Sequence, residues 1–183
     1  MKILILTMLG LGFLLLNAAS CTKDHGDTLP PETQDGKNTF GCLVNGEVWL
    51  NGGYAPFPNP NLYATIYTNR FVIGATKSNN NTHQIIFMDI KSPISIGKFN
   101  FNSTLQNTGF HDLKNDCYYR VDTVLSSGVV EIIKVDTINK IVSGIFNYKA
   151  VKYSFVSMGL VSKGSCDSIV NITDGRFDIK FIP

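Results

Sequence analysis

The sequence is short of the residues that build most active sites. Its 183 residues include one tryptophan, three histidines and four cysteines, and only 16% are charged. No two cysteines stand in a CxxC spacing, which excludes a dithiol redox motif and a zinc ribbon. HExxH is absent, as is any Asp/Asn/Gly loop of EF-hand spacing. No GxSxG nucleophile elbow accompanies the histidines. The charges sum to +2, and the lysines are scattered singly, without the basic stripe of a nucleic-acid binder. Beyond the N-terminal segment no window of about eleven residues holds a 3.6-residue apolar period, so amphipathic helices are not expected. No cofactor or metal site is indicated.

One long apolar run is present, and it lies at the start: MKILILTMLGLGFLLLNAASC. Lys2 is a positive n-region, residues 3–16 an apolar h-region, and Ala18-Ala19-Ser20 a small-residue stretch. Fourteen helical residues span about 21 Å, short of the roughly 30 Å hydrocarbon core, so a permanent spanning helix is not expected. A plain secretory peptide cut near Ala19 is one reading. The other is a bacterial lipoprotein signal, because small residues directly before a cysteine resemble a lipobox, with Ala18 where leucine is usual. We take the second: residues 1–20 are a signal peptide and Cys21 is the lipidated residue. Two or more acyl chains give stable membrane residence where one gives only marginal binding. The lipid would be the membrane element, in an outer membrane, facing the periplasm or the cell surface.

Residues 22–38 hold one large apolar side chain, Leu29, among Pro, Gly, Asp, Thr and Lys. Such a composition does not offset its ordering entropy by burial. The expectation is a flexible tether over residues 21–38, stiffened at Pro30-Pro31. Lys23-Asp24 resembles a charged surface-export signal.

Removing residues 1–20 leaves 163 residues with 15 basic and 14 acidic side chains, enough for a single domain over 39–183 with its own core. Cys42 alternates with Phe40 and Val44 and reads as a core thiol. Cys117 and Cys166 sit beside Asp116 and Asp167 at strand–loop borders, and are the preferred disulfide in an oxidising compartment.

The body reads as all-β. Residues 39–44 and 47–50 flank Asn45-Gly46, the strongest short hairpin signal. Further strand-like runs cover 63–68, 71–77, 84–90, 98–102, 118–125, 129–135, 141–149, 152–158, 168–172 and 176–181. Runs 118–125, 129–135 and 141–149 suggest a meander. In the last run Phe177, Ile179 and Phe181 face inward, and Arg176, Asp178 and Lys180 outward. Arg176 and Asp178 would then form a surface ion pair. Turns spaced roughly 8 to 14 residues apart point to an antiparallel sandwich or barrel of roughly 8 to 10 strands.

Three segments carry a resemblance: NTFGCLVNG within residues 29–49, KIVSGIFNYKA at 140–150 and ITDGRFDIKF at 172–181. With the lipobox and the Pro-containing tether they resemble a family of small Bacteroidota lipoproteins with an all-β domain of unknown function. The resemblance implies an envelope lipoprotein with an all-β fold and no assigned activity, and it brings no catalytic residues to carry over.

Candidate chemistry is sparse. His25 lies in the tether, His83 in an Asn-rich loop, and His111 beside Asp112 in what reads as a loop. Asp112, Asn115 and Asp116 offer oxygen ligands for calcium, but in the pattern of an ordinary polar loop. Trp49, Tyr54, Phe57 and Tyr63 fall within fifteen residues that also hold three prolines. They would stack on a glycan or grip a peptide of an envelope protein, or else cap the core and cover a sheet edge. Asp-Ser/Thr-apolar triplets resemble O-glycosylation signals, of which Thr28 in the tether is the most accessible. The function expected is a non-enzymatic binding or structural β-domain, with a carbohydrate-binding lipoprotein as the alternative and a hydrolase third.

Overall fold

The computed structural model describes residues 28–54, 60–101, 107–122, 127–154, 162 and 164–182. Cys21, the signal segment and Phe57 lie outside the described residues. Every regular element among the described residues is a strand. They are β1 (Thr39–Val44), β2 (Glu47–Leu50), β3 (Gly52–Gly53), β4 (Leu62–Ile66), β5 (Arg70–Asn79), β6 (Thr82–Lys91), β7 (Gly97–Asn100), β8 (Gly109–Asp112), β9 (Cys117–Arg120), β10 (Gly128–Asp136), β11 (Ile141–Lys152) and β12 (Ile169–Lys180). The expected 8 to 10 strands become twelve, because the two-residue Gly52–Gly53 and the four-residue Gly109–Asp112 are too short to announce themselves.

The strands form one nearly closed, barrel-like sheet. Along one half the order is β7-β10-β11-β12-β1-β2, and along the other β9-β8-β6-β5-β4. Two long strands join the halves. β11 pairs with β10 over most of its length and then takes β9 at Val151 and Lys152. At the opposite corner Ile182, just past β12, exchanges backbone hydrogen bonds with Ala64 and Ile66 of β4. All pairs are antiparallel except β3 with β5 and the Thr65–Ile182 bridge. The expected meander is corrected: β10 and β11 form a hairpin, but β9 belongs with β8, and β10 has β7 on its other edge.

Alternation fills the interior. Phe71, Ile73 and Ala75 of β5 face Ile86, Met88 and Ile90 of β6, all fully buried, alongside Val142, Phe146 and Tyr148 of β11. Residues 168–172 and 176–181 are one strand rather than two. Thr173–Gly175 is a bulge, with Asp174 at φ 51°, across which the pairing shifts between Phe146 and Tyr148. The extra residue switches the inward set from Val170 and Ile172 to Phe177, Ile179 and Phe181. Asn45-Gly46 forms the expected two-residue turn, with φ of 51° and 87°.

Cys117 and Cys166 are bonded across 49 residues, tying the start of β9 to the segment before β12. On the chain-entropy model such a loop contributes about 4 kcal/mol. Cys42 is free and fully buried, and burial pushes its thiol up to about 12.

The second half of the expected tether is docked. Asp178 lies on the outward face of β12 but is 1% exposed, because residues 33–37 close over it. Its carboxylate accepts hydrogen bonds from Thr33 Oγ1 at 2.7 Å, Ser143 Oγ at 2.7 Å, and the backbone N–H groups of Asp35, Gly36 and Lys37. Burial alone would raise its pKa, but these donors outweigh it and hold the group at about 2. Gly36, at φ 69°, lets the strap turn against Ile141 and Lys180, where a Cβ would meet Ile141 at 3.0 Å. The expected Arg176–Asp178 pair does not form. Arg176 instead donates to the Pro30 carbonyl and faces Glu32 at 3.9 Å. A polar segment was legible as tether because its binding energy lies in hydrogen bonds, not in apolar area.

Candidate binding cleft

The three aromatic candidates among the described residues, Trp49, Tyr54 and Tyr63, do not converge. Trp49 is 2% exposed, packed edge-on against Phe40, and its indole N–H donates to Gln84 Oε1 at 2.9 Å across the barrel. It cannot stack on a ligand; β2 turns it inward, which corrects the binding expectation for that residue. Tyr63 is half-buried, its ring over Gly74 of the neighbouring strand, with its phenol pKa raised by burial and then by Tyr67. Of the described candidates Tyr54 alone is open, at 84% exposure, beside the turn joining β5 and β6.

Trp49 leads instead to a polar cleft of about 430 Å³ beside the disulfide. Gln84 Nε2 donates to Asp112 Oδ2, which also accepts from Asn115 Nδ2 at 2.9 Å. Glu47 and Asp167 line the same space, and their charges are spread too widely for chelation: no group of His, Cys, Asp or Glu suited to a metal ion exists among the described residues. The Asp112–Asn115 contact is thus a loop-closing turn. His111 is no loop residue. It sits on β8 with its ring edge-on to Phe87 and Tyr118, and burial lowers its pKa to about 4.

The larger cleft, of about 790 Å³, opens at the other end of the barrel. It forms because the β4–β5 turn, closed by Tyr67 N–H to the Arg70 carbonyl at 2.7 Å, leaves polar side chains on the outward face of β5 and β6. Phe71 and Ile90 point to the core, so Arg70, Asp89 and Lys91 point away from it. Arg70 Nη1 donates to Asp89 Oδ2 at 3.2 Å, and the guanidinium lies 5.0 Å from the Tyr67 ring centroid. Asp89 is 4% exposed; burial raises its pKa, and the Arg70 charge and hydrogen bond oppose that rise. Its backbone N–H donates to the buried hydroxyl of Thr108. Arg70 stays half-exposed and Tyr67 47% exposed, so the buried acid holds a cation that faces solvent.

This constellation had no signal in the sequence. Arg70 and Asp89 are 19 residues apart and meet only through strand register. The facing oxygen of Asp89 is occupied by Arg70. A guanidinium held in this way offers a planar fork of N–H donors to the cleft.

Comparison with protein-family models, with curated proteins and with solved structures gives no match to this chain.

Proposed function

We propose that this chain is a lipid-anchored envelope protein, held through Cys21, whose β-domain is a non-enzymatic binding module working through the Tyr67–Asp89 cleft. The observation that carries this reading is the direction of the docked strap. From Gly36, level with Lys180, it runs back to Pro30, level with Gly41 and Arg176. It therefore heads for the end of the barrel that holds the Asn45-Gly46 turn and the disulfide. The Arg70 cleft lies at the other end, beside Ile66 and the Ile182 corner. A chain anchored at Cys21 leaves at most nine residues, about 30 Å of extended backbone, between lipid and Pro30. That reach favours the cleft pointing away from the membrane. Thr28, exposed just ahead of the strap, suits a modification on that short leash.

The test is intact mass of native protein recovered from membranes, with Cys21→Ser beside it. A mass equal to residues 21–183 plus a diacylglyceryl-type adduct, and release of the Cys21→Ser form into the soluble fraction, are expected. An unmodified Cys21, or a variant that stays membrane-bound, contradicts the anchor.

A further inference from the structure

We infer that the Arg70 cleft is a binding site for an oxyanion group, a carboxylate, sulfate or phosphate ester, carried on a ligand of one or two sugar-sized rings. The inference rests on the cleft being the binding site and adds the class of ligand.

Three independent features of the cleft point the same way. The first is positional. Arg70 and Lys91 are directly opposed across β5 and β6, and like charges in that relationship destabilise a strand pair. The mouth of the cleft thus carries two cations against the single charge of Asp89, and an anion between them would offset the repulsion.

The second is preorganisation. Asp89 and Tyr67 fix the guanidinium from two sides, one by hydrogen bond and one by stacking. Asp89 engages Arg70 through Nη1, and among the described residues no second side chain accepts a hydrogen bond from Arg70 or pairs with its charge. A planar donor fork whose rotamers are already restricted loses little entropy on gripping a planar or tetrahedral oxyanion. Asp89 acts here as a positioning residue, its own oxygen being used on the protein side.

The third is size and lining. A volume of about 790 Å³ accommodates a mono- or disaccharide-sized ligand, and the remaining walls supply one aromatic ring, Tyr67, and the polar side chains of Thr68 and Asn69. A ring with hydroxyl groups on its edge and an anionic substituent meets each of these groups with a matching one.

The experiment is a calorimetric titration of the folded domain, residues 28–183, with its disulfide intact, at low and moderate salt. The probes are a galacturonic acid disaccharide, a sulfated disaccharide and glucose 6-phosphate, each against its uncharged counterpart. Binding of at least one charged probe, tenfold or more tighter than its neutral counterpart and weakened by salt, is expected; which probe wins names the anion. Lys91→Gln, which leaves Asp89 paired, should weaken that binding several-fold. Arg70→Lys should weaken it about tenfold, because the charge survives and the fork does not. The double variant Arg70→Met with Asp89→Asn removes both members of the buried pair and should abolish binding while the domain still melts cooperatively. The inference is overturned if no charged probe binds at millimolar concentration, if neutral probes bind equally well, or if these variants bind as the parent does. The Cys21 mass measurement is unaffected by any of these results, so failure of the anion site and failure of the anchored reading are separable.

Discussion

The hydroxyl of Ser143 donates to Oδ1 of Asp178 at 2.7 Å, and the two residues lie directly opposite each other on β11 and β12. Both are buried although they sit on the outward face of the sheet, because the strap of residues 30–37 lies over them. One carboxylate thus connects the two longest strands to the segment that leads toward the anchor.

Asp178→Asn replaces a carboxylate that accepts five hydrogen bonds with an amide that cannot accept all of them. A loss of about 2 kcal/mol is expected at neutral pH, matching a pKa held at about 2 instead of 3.8. The sign follows from the depressed value: the contribution is complete above pH 4 and disappears as pH falls from about 4 to 2. Denaturant titrations across that range should show a drop in the parent that the variant lacks.

His111 works in the opposite sense. Its folded-state pKa of about 4 lies below the ordinary 6.5, so the fold favours the neutral ring. Below pH 6.5 the unfolded chain takes up a proton that the folded chain refuses until about pH 4, and stability falls across that window. His111→Phe, which suits the edge-on contacts with Phe87 and Tyr118, should flatten the slope between pH 6.5 and 4. Thermal melts in steps of pH measure it; an unchanged slope would place the titration elsewhere.

Trp49 is the single tryptophan, so its fluorescence reports the barrel directly. Emission should be blue-shifted and poorly quenched by acrylamide. Trp49→Ala should cost about 3 to 5 kcal/mol through cavity formation, with Gln84 also losing its donor. Trp49→Phe should retain most of the stability, and neither change should act through ligand contact.

The Cys117–Cys166 bond predicts an unreduced mass short by two hydrogens, with Cys42 the one remaining thiol of the described residues and slow to alkylate while the fold persists. Cys117→Ser with Cys166→Ser should lower stability by up to about 4 kcal/mol without altering cooperativity. Three alkylatable thiols after denaturation without reductant would contradict the bridge.

What could be read in the sequence was whatever depends on neighbours along the chain. Asn45-Gly46 declared its turn, Phe177, Ile179 and Phe181 declared their inward face, and Cys42 declared its burial. Relationships set by register were silent. Arg70 and Asp89 carry no local motif, and β8 hid behind the loop-like Gly109-Phe110-His111-Asp112. The Thr173-Asp174-Gly175 segment has turn composition, and only pairing with β11 on both sides makes it a bulge. The strap was misread for a related reason: polar composition predicts disorder only when no buried acceptor waits for its N–H groups, and Asp178 is such an acceptor. Trp49 shows the converse, since an aromatic beside a proline-rich loop resembles a binding patch until the strand that carries it is known to face the core.

The most direct measurement is hydrogen exchange at the backbone N–H groups of Gly36 and Lys37 in the 28–183 domain at neutral pH, with Asp178→Asn in parallel. Exchange slowed at least a hundredfold relative to an unstructured peptide, and returned toward the unstructured rate by the substitution, is the expected result. Exchange at the unstructured rate in the parent would mean that residues 30–37 are free chain after all, and that the strap does not direct the anchored end of the barrel.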